Sequence, residues 1–563
     1  MSNGNDKPVI VQSDRSVLLE TDGPMFEDAR DCLAAFAELV KSPEHIHTYR
    51  ITPLSLWNAA AAGFTAREVL EGLARYSKYD IPQNITAEIE DNISRYGRLK
   101  LYKSPDGPLV LESDDSLLVM ELLNQKTVRP YVTGSPDGKR IFVKPEERGN
   151  LKCALVKLGF PVEDLAGYVA GAPLSLGLRG QTLSGRDFAL RQYQKESVDA
   201  FYASGSNRGG SGVIVLPCGA GKTIVAIGVI NATQTQTLVL TTNTVALRQW
   251  KNELLDKTNV PEDQIGEYSG DLKEIRPITI ATYQVLTYRK VKDGPFIHFG
   301  LFEQGNWGLI IYDEVHLLPA PVFRATASLQ ARRRLGLTAT LVREDGREED
   351  VFSLIGPKKY DVPWKVLEKQ GWIAQALCTE IRTRLPDDER YRYAIADKRT
   401  KFRIASTNPV KRHICEFLAQ RHAGDNVLII GQFLDQLKML AKHFKAPLIT
   451  GRTPTRERER LYHEFRTSKI KLLIVSKVAN FAIDLPDANV AVQVSGTFGS
   501  RQEEAQRLGR ILRPKSDGRL ARFYSVVTRD TCDQDYSVKR QLFLTEQGYR
   551  YEIITEDRLY EED

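Results

Sequence analysis

Eight short apolar runs, separated by segments of helical character, constrain this chain more than any other feature. They are GVIVLP (212–217), TLVLTT (237–242), ITIAT (278–282), GLIIYDE (308–314), RLGLTAT (334–340), NVLII (426–430), LLIVSK (472–477) and VAVQVSG (490–496). Their apolar residues run on without alternation, so both faces of the strands they form must be covered. Strands of that kind belong to parallel sheets with helices packed on either side. Eight are too many for one sheet of ordinary size, and a long interruption falls at 356–410. Two α/β domains in tandem, over 185–355 and 411–555, are the economical arrangement.

The upstream chain has another rhythm. Residues 1–95 read as a helical N-terminal domain. FEDARDCLAAFAELVKS carries apolar residues at helical spacing, and Thr52 is placed to cap TPLSLWNAAAAG. Thr65 opens TAREVLEGLARYSK with Glu68 three residues on, the pattern of a capping box. Val9, Ile10 and Val11 suit a short strand. Over 96–180 the runs YGRLKLYKS, GPLVLES, VRPYVTG and KRIFVKP alternate between turns, which predicts a small mixed or β domain. GYVAGAPLSLGLRGQTLSG (167–185) has the Gly/Ser content of a linker.

Composition excludes some classes. Of 563 residues, 42% are hydrophobic and 27% charged, enough for several cores and too apolar for a disordered chain. No run approaches the roughly 18 apolar residues of a membrane span, and the start lacks a secretory pattern. Cys32, Cys153, Cys218, Cys378, Cys415 and Cys532 are scattered without a CxxC pair, so a cytoplasmic chain without zinc or disulfides is expected. Residues 1–100 hold 11 Lys/Arg against 15 Asp/Glu, and the remainder 67 against 57. A basic body with an acidic head admits a polyanionic partner without demanding one.

Chemistry enters with PCGAGKT at 217–223, between an apolar strand and a helical segment. Glycines let backbone N–H groups curl around a phosphate, and the helix N-terminus adds its partial positive charge. Gly219 and Gly221 shape the loop, Lys222 reaches the β- and γ-phosphates, and the Thr223 hydroxyl ligates magnesium. Leu216 replaces the first Gly of the general pattern. Asp313 and Glu314 close a buried strand. Asp313 is placed to hold magnesium through water, and Glu314 to polarise the water that attacks the phosphate. Downstream, Gln506, Arg510 and Arg513 fall on one helical face, where guanidinium groups stabilise a transferring phosphate.

In this order the elements resemble a superfamily 2 helicase. Within that superfamily they resemble the XPB family, named for xeroderma pigmentosum group B, in its compact prokaryotic form. DEVH (313–316), LTATLVRED (337–345), LIGPKKYDVPW (354–364) and RDTCDQDYSVKRQLFLTEQGY (529–549) carry the narrower match, with HTYRITPLSLWNAAAAGFTAREVLEGLARYSKYDIP (from His47) similar to the N-terminal segment. The resemblance covers nearly the whole chain. It implies two RecA-like motor domains behind the helical domain and a damage-recognition-like domain at 96–180. It also implies a thumb-like insertion within the connecting segment 356–410. Arg191 and Gln194 in LRQYQ take the adenine-reading place. His316, Thr338, Thr340 and Asp484 take coupling roles, and Arg343, Glu344 and Asp345 form the duplex-opening RED motif. Arg390, Arg392, Lys398 and Arg399 fall in the thumb, where phosphate contact is implied. Ala479 and Asn480 depart from the family, where Gly-Asp is usual.

The resemblance implies ATP and Mg2+ as cofactors and 3′-to-5′ movement on single-stranded or forked duplex DNA, in repair or transcription. Arg510 and Arg513 act only on closure, so DNA would stimulate hydrolysis by favouring it. A partner nuclease or a transcription or repair factor is compatible, and nothing demands more than a monomer. Three other readings stay open: a duplex translocase that does not separate strands, an RNA helicase, and a docking scaffold built on the acidic head.

Overall fold

Thr52 and Thr65 cap their helices as the spacing predicts. Thr52 Oγ1 accepts from Ser55 N and Thr52 N donates to Ser55 Oγ, both at 3.0 Å, opening the helix Pro53–Ala61. Thr65 and Glu68 make the same reciprocal exchange before Ala66–Tyr76, whose Val69, Leu73 and Tyr76 face the interior.

The computed structural model describes the chain except residues 1–6, 42–44, 105–106, 218, 292–293, 319–320, 323–325, 328, 331, 340–347, 363–366, 368–375, 477–487, 497–520, 547–550 and 562–563. The chain divides into one unit of Met1–Glu38, Tyr49–Leu216 and Gly221–Val362, and a second of Leu39–Thr48, Pro217–Ala220 and Pro363–Asp563. The expectation of a helical region at 1–95 needs correction. The expected strand at Val9–Val11 is β1; beyond it, β2 (Ser16–Glu20), β3 (Glu38–Lys41) and β4 (Ile46–Arg50) also stand among the helices. FEDARDCLAAFAELVKS is not one helix: its helix ends at Ala34, and Glu38–Lys41 runs extended with Leu39 buried. Strands of three to five residues fit inside one helical window, so periodicity does not separate them.

Residues 96–180 hold a five-stranded sheet in the order β7-β8-β6-β5-β9. Its strands are β5 (Leu99–Lys103), β6 (Leu109–Glu112), β7 (Val132–Gly134), β8 (Arg140–Val143) and β9 (Val162–Asp164). Helices Ser116–Asn124 and Arg148–Lys157 complete its core with Leu118, Leu122, Leu151 and Leu155. The stretch 167–185 is not a free linker. Ala172 N donates to Asn306 O (2.8 Å), Gln236 N to Ala172 O (2.8 Å) and Arg179 N to Lys257 O (2.9 Å). Gly171 and Gly308 lie so close that a Cβ on Gly171 would sit 2.2 Å from Gly308 N. Glycine serves close approach of two backbones here, not flexibility.

The first parallel sheet has the order β12-β13-β11-β14-β15-β10-β16. Its strands are β10 (Ser211–Val215), β11 (Thr237–Thr241), β12 (Ile265–Tyr268), β13 (Ile278–Thr282), β14 (Leu309–Asp313), β15 (Arg333–Thr338) and β16 (Lys358–Asp361). The second has the order β19-β20-β18-β21-β22-β17-β23. It uses β17 (Ala376–Thr383), β18 (Val427–Gly431), β19 (Leu448–Ile449), β20 (Leu472–Ser476), β21 (Val490–Gln493), β22 (Ala521–Thr528) and β23 (Tyr551–Thr555). Among the described residues every pairing in both is parallel, so the α/β class with two tandem motor sheets stands.

The interval 356–410 is shared between the sheets: β16 completes the first, and β17 lies inside the second. The basic stretch forms two helices of the second unit, Asp387–Ile395 and Lys398–Ser406. Phe402 of the latter is buried against Phe433 and Tyr536.

Candidate nucleotide site

β10 is buried along Gly212–Val215, and Leu216 N donates to Thr338 O at the end of β15 (3.0 Å). The chain then turns through Gly219 and Gly221, each at φ +83°, a conformation that costs other residues roughly 1–2 kcal/mol. The helix Lys222–Thr233 follows directly, its middle wholly buried, so its N-terminus opens onto the turn. Gln194 approaches from the helix Gln192–Tyr202: a Cβ on Gly221 would sit 2.7 Å from Gln194 Nε2. Its other end is fixed by Arg191 N donating to Gln194 Oε1 at 3.0 Å. Arg191 Nη1 donates to Tyr193 OH at 3.1 Å.

β14 delivers the carboxylates. Lys222 Nζ lies 3.6 Å from Glu314 Oε1, with only 12% and 17% of the two side chains exposed. Glu314 sits at φ +51°, a left-handed conformation uncommon for a non-glycine residue. That bend turns the chain sharply after Asp313. His316 is buried; its Nδ1 is 2.6 Å from Thr338 Oγ1 and 3.5 Å from Glu314 Oε2. Burial, and next the charge of Glu314, push the Asp313 carboxyl up to about 6; Trp250 and Lys222 pull the other way.

The structure thus brings together Gln194, Gly221, Lys222, Asp313, Glu314, His316 and Thr338. Thr223 lies in the first turn of the phosphate-side helix. Thr340, Arg343, Glu344, Asp345, Asp484, Gln506, Arg510 and Arg513 lie outside the described residues. Arg390, Arg392, Lys398 and Arg399 are elsewhere, in the second unit. There Arg390 pairs with Asp387 (3.4 Å) and Arg392 with Glu389 (2.6 Å), each three residues back. Lys398 and Arg399 are exposed at the start of a helix capped by Asp397.

Sequence reasoning missed two residues at this site. Trp250 Nε1 donates to Asp313 Oδ2, and Tyr283 OH to Asp313 O, both at 2.9 Å. No spacing signals them, because a Trp on the apolar face of a helix reads as core.

A phosphate-type loop closing a parallel strand, strand-end carboxylates beside it and a second seven-stranded parallel sheet downstream define a two-sheet nucleotide-driven motor. The family model for the ERCC3/RAD25/XPB C-terminal helicase matches residues 367–563. That for the type III restriction enzyme res subunit matches 187–343, and a helicase conserved C-terminal domain matches 9–134. The DNA 3′-5′ helicase XPB of Kineococcus radiotolerans is 55% identical over 552 residues, 98% of this chain and 97% of that one. The same-named protein of Mycobacterium tuberculosis is 54% identical over 98% of this chain and 99% of its own. The general transcription and DNA repair factor IIH helicase/translocase subunit XPB of Encephalitozoon cuniculi is 35% identical over 98% of this chain and 84% of its own. The chain belongs to the XPB family of helicases.

Proposed function

We propose that this chain is an ATP-hydrolysing DNA motor that moves 3′ to 5′ and separates strands in repair or transcription. The observation that carries the reading is the Lys222–Glu314 pair at 3.6 Å, coupled through His316 to Thr338 at the end of a neighbouring strand. The names of the full-length relatives supply the DNA substrate and the polarity.

The residues fit magnesium. Asp313 and Glu314 set two carboxylates against the single ammonium of Lys222, and Thr223 adds a hydroxyl, an all-oxygen donor set. Among the described residues no group of three or more His, Cys, Asp or Glu would hold a metal. Magnesium is commonly held by one or two carboxylates together with substrate phosphates. When bound, magnesium neutralises charge on those phosphates. Lys222 and the loop N–H groups hold the triphosphate, and Asp313 and Thr223 hold the cation. Glu314 orients the attacking water, with the Lys222 ammonium 3.6 Å away. His316 passes the state of the site to Thr338 and so to the segment that follows β15. On sequence grounds Gln506, Arg510 and Arg513 act on the transferring phosphate. On the same grounds Arg343, Glu344 and Asp345 open the duplex, and Thr340 and Asp484 relay nucleotide state.

Single-stranded and forked DNA are the proposed partners of a monomer, alone or with a nuclease or repair factor. Among the described residues no helix is long and apolar enough to cross a membrane.

The test is Glu314→Gln on duplexes with a 3′ or a 5′ tail. The variant should bind ATP like the parent and lose turnover and strand separation, while the parent separates only from the 3′ tail. Near-parental turnover in the variant removes Glu314 from its role. DNA-stimulated hydrolysis without separation from either tail would favour a duplex translocase.

A further inference from the structure

Asp313 is gripped from two neighbouring elements that contribute nothing to the phosphate loop. Trp250, on the helix Thr244–Lys257 after β11, is 1% exposed and donates its indole N–H to Asp313 Oδ2 at 2.9 Å. Tyr283, which follows β13 directly, is 4% exposed and donates its hydroxyl to the main-chain oxygen of the same residue at 2.9 Å. In the sheet, β11 lies between β13 and β14, with Thr241 opposite Thr282 and Leu240 opposite Tyr312. The two aromatics therefore reach the end of β14 from the elements that follow the next two strands.

The chemistry of each bond is specific. Burying these rings does not require that their polar atoms meet one residue; at Tyr283 phenylalanine keeps the ring and loses only the hydroxyl, whereas at the fully buried Trp250 it also leaves a cavity, which the urea midpoints below measure. An indole is a donor only, so its bond to Oδ2 fixes the rotation of the carboxylate about Cβ–Cγ. The tyrosine hydroxyl independently fixes the carbonyl beside the left-handed turn at Glu314. Side chain and main chain of one residue are thus held by separate donors.

We propose that Trp250 and Tyr283 are positioning residues that orient Asp313 for the magnesium–nucleotide complex, Trp250 through the carboxylate and Tyr283 through the backbone. The proposal rests on the reading of Asp313 as the residue that holds magnesium. Outer donors of this type tune the affinity of the ligand they orient, and their loss weakens metal binding roughly 10–100-fold.

The experiment uses the full chain with Trp250→Phe, Tyr283→Phe and Trp250→His, the last retaining a ring N–H. Binding of a fluorescent N-methylanthraniloyl ATP is titrated with and without magnesium chloride, and urea midpoints are measured beside it. Trp250→Phe should raise the magnesium concentration at half-saturation roughly 10–100-fold while metal-free nucleotide affinity stays within about twofold. Tyr283→Phe should shift it less, because it holds the backbone and not the ligating group, and Trp250→His should recover part of the loss. A magnesium-dependent parent with an unchanged Trp250→Phe overturns this proposal alone. So does equal weakening of binding with and without magnesium, which marks a merely structural role. Should Trp250→Phe fail to fold, Tyr283→Phe decides by the same two titrations. A parent whose nucleotide binding ignores magnesium overturns the reading of Asp313 itself.

Discussion

Replacing Asp164 by Asn tests how firmly β9 is held to the helix Arg148–Lys157 inside the five-stranded domain. Asp164 ends β9 and accepts from Arg148 Nη2 (2.6 Å), Arg148 Nε (3.1 Å) and Lys152 Nζ (2.9 Å). The three side chains are 8%, 6% and 7% exposed. Burial alone would push the Asp164 carboxyl up; Lys152 and Arg148 outweigh it and hold the group well below the ordinary carboxylate range. Burial pushes Lys152 down to about 8; Asp164 opposes that shift, while Arg334 and Arg148 add to it. Asparagine keeps the shape and removes the charge, leaving buried cations uncompensated, a loss of about 3–5 kcal/mol. At a slope near 3 kcal/mol per molar urea, the first unfolding transition of the full chain should fall by about 1–1.7 M. The pH dependence supplies a second signature. A depressed carboxylate contributes stability above its unfolded value, near 4, and loses it as pH falls through the folded value, so the parent weakens on acidification and the variant less so. The lysine acts at the other end. Between about 8 and its unfolded value the unfolded chain binds more protons, so stability rises with pH across that window. Without its counter-ion Lys152 titrates lower, and the variant should recover from a lower pH than the parent. A midpoint shift below about 0.3 M, or unchanged acid sensitivity, refutes the reasoning.

Thr338→Val keeps the shape and removes the partner of His316 Nδ1; DNA stimulation of ATP hydrolysis should fall severalfold more than ATP affinity, and unchanged stimulation would remove the pair from coupling. Deleting residues 1–180 strips the backbone partners of Gln236, Lys257 and Asn306, so hydrolysis should be lost although every nucleotide-site residue remains. Full activity of that fragment would show the head to be an adaptor.

The legible part of the fold is its hydrophobic interior. The eight apolar runs are eight of the fourteen strands in the two motor sheets, and the site residues sit at their ends. Of the other six, β22 (Ala521–Thr528) is missed although it is buried along most of its length, and five are hidden for separate reasons. β12, β16, β19 and β23 lie at or beside sheet edges or are too short to show a run, as KKYD and LI illustrate. β17 lies inside its sheet yet carries a fully buried Glu380, bonded by Ser537, Gln541 and Arg382. A buried carboxylate with three donors is stable, but it breaks the apolar pattern by which a strand is recognised. At the site, the loop and the carboxylate pair follow from local spacing, and His316 from the family resemblance. Trp250 and Tyr283 do not, because parallel pairing joins residues far apart in sequence.

The strand that carries the nucleotide loop, β10, lies between β15 and β16, and β16 is made about 150 residues after it. During synthesis at roughly 5–20 residues per second, β10 waits on the order of 10–30 s for its last neighbour. A nascent chain thus holds a complete loop sequence on an incomplete sheet. One edge of β10 stays unpaired until β16 is made, an open template for wrong pairing during that interval.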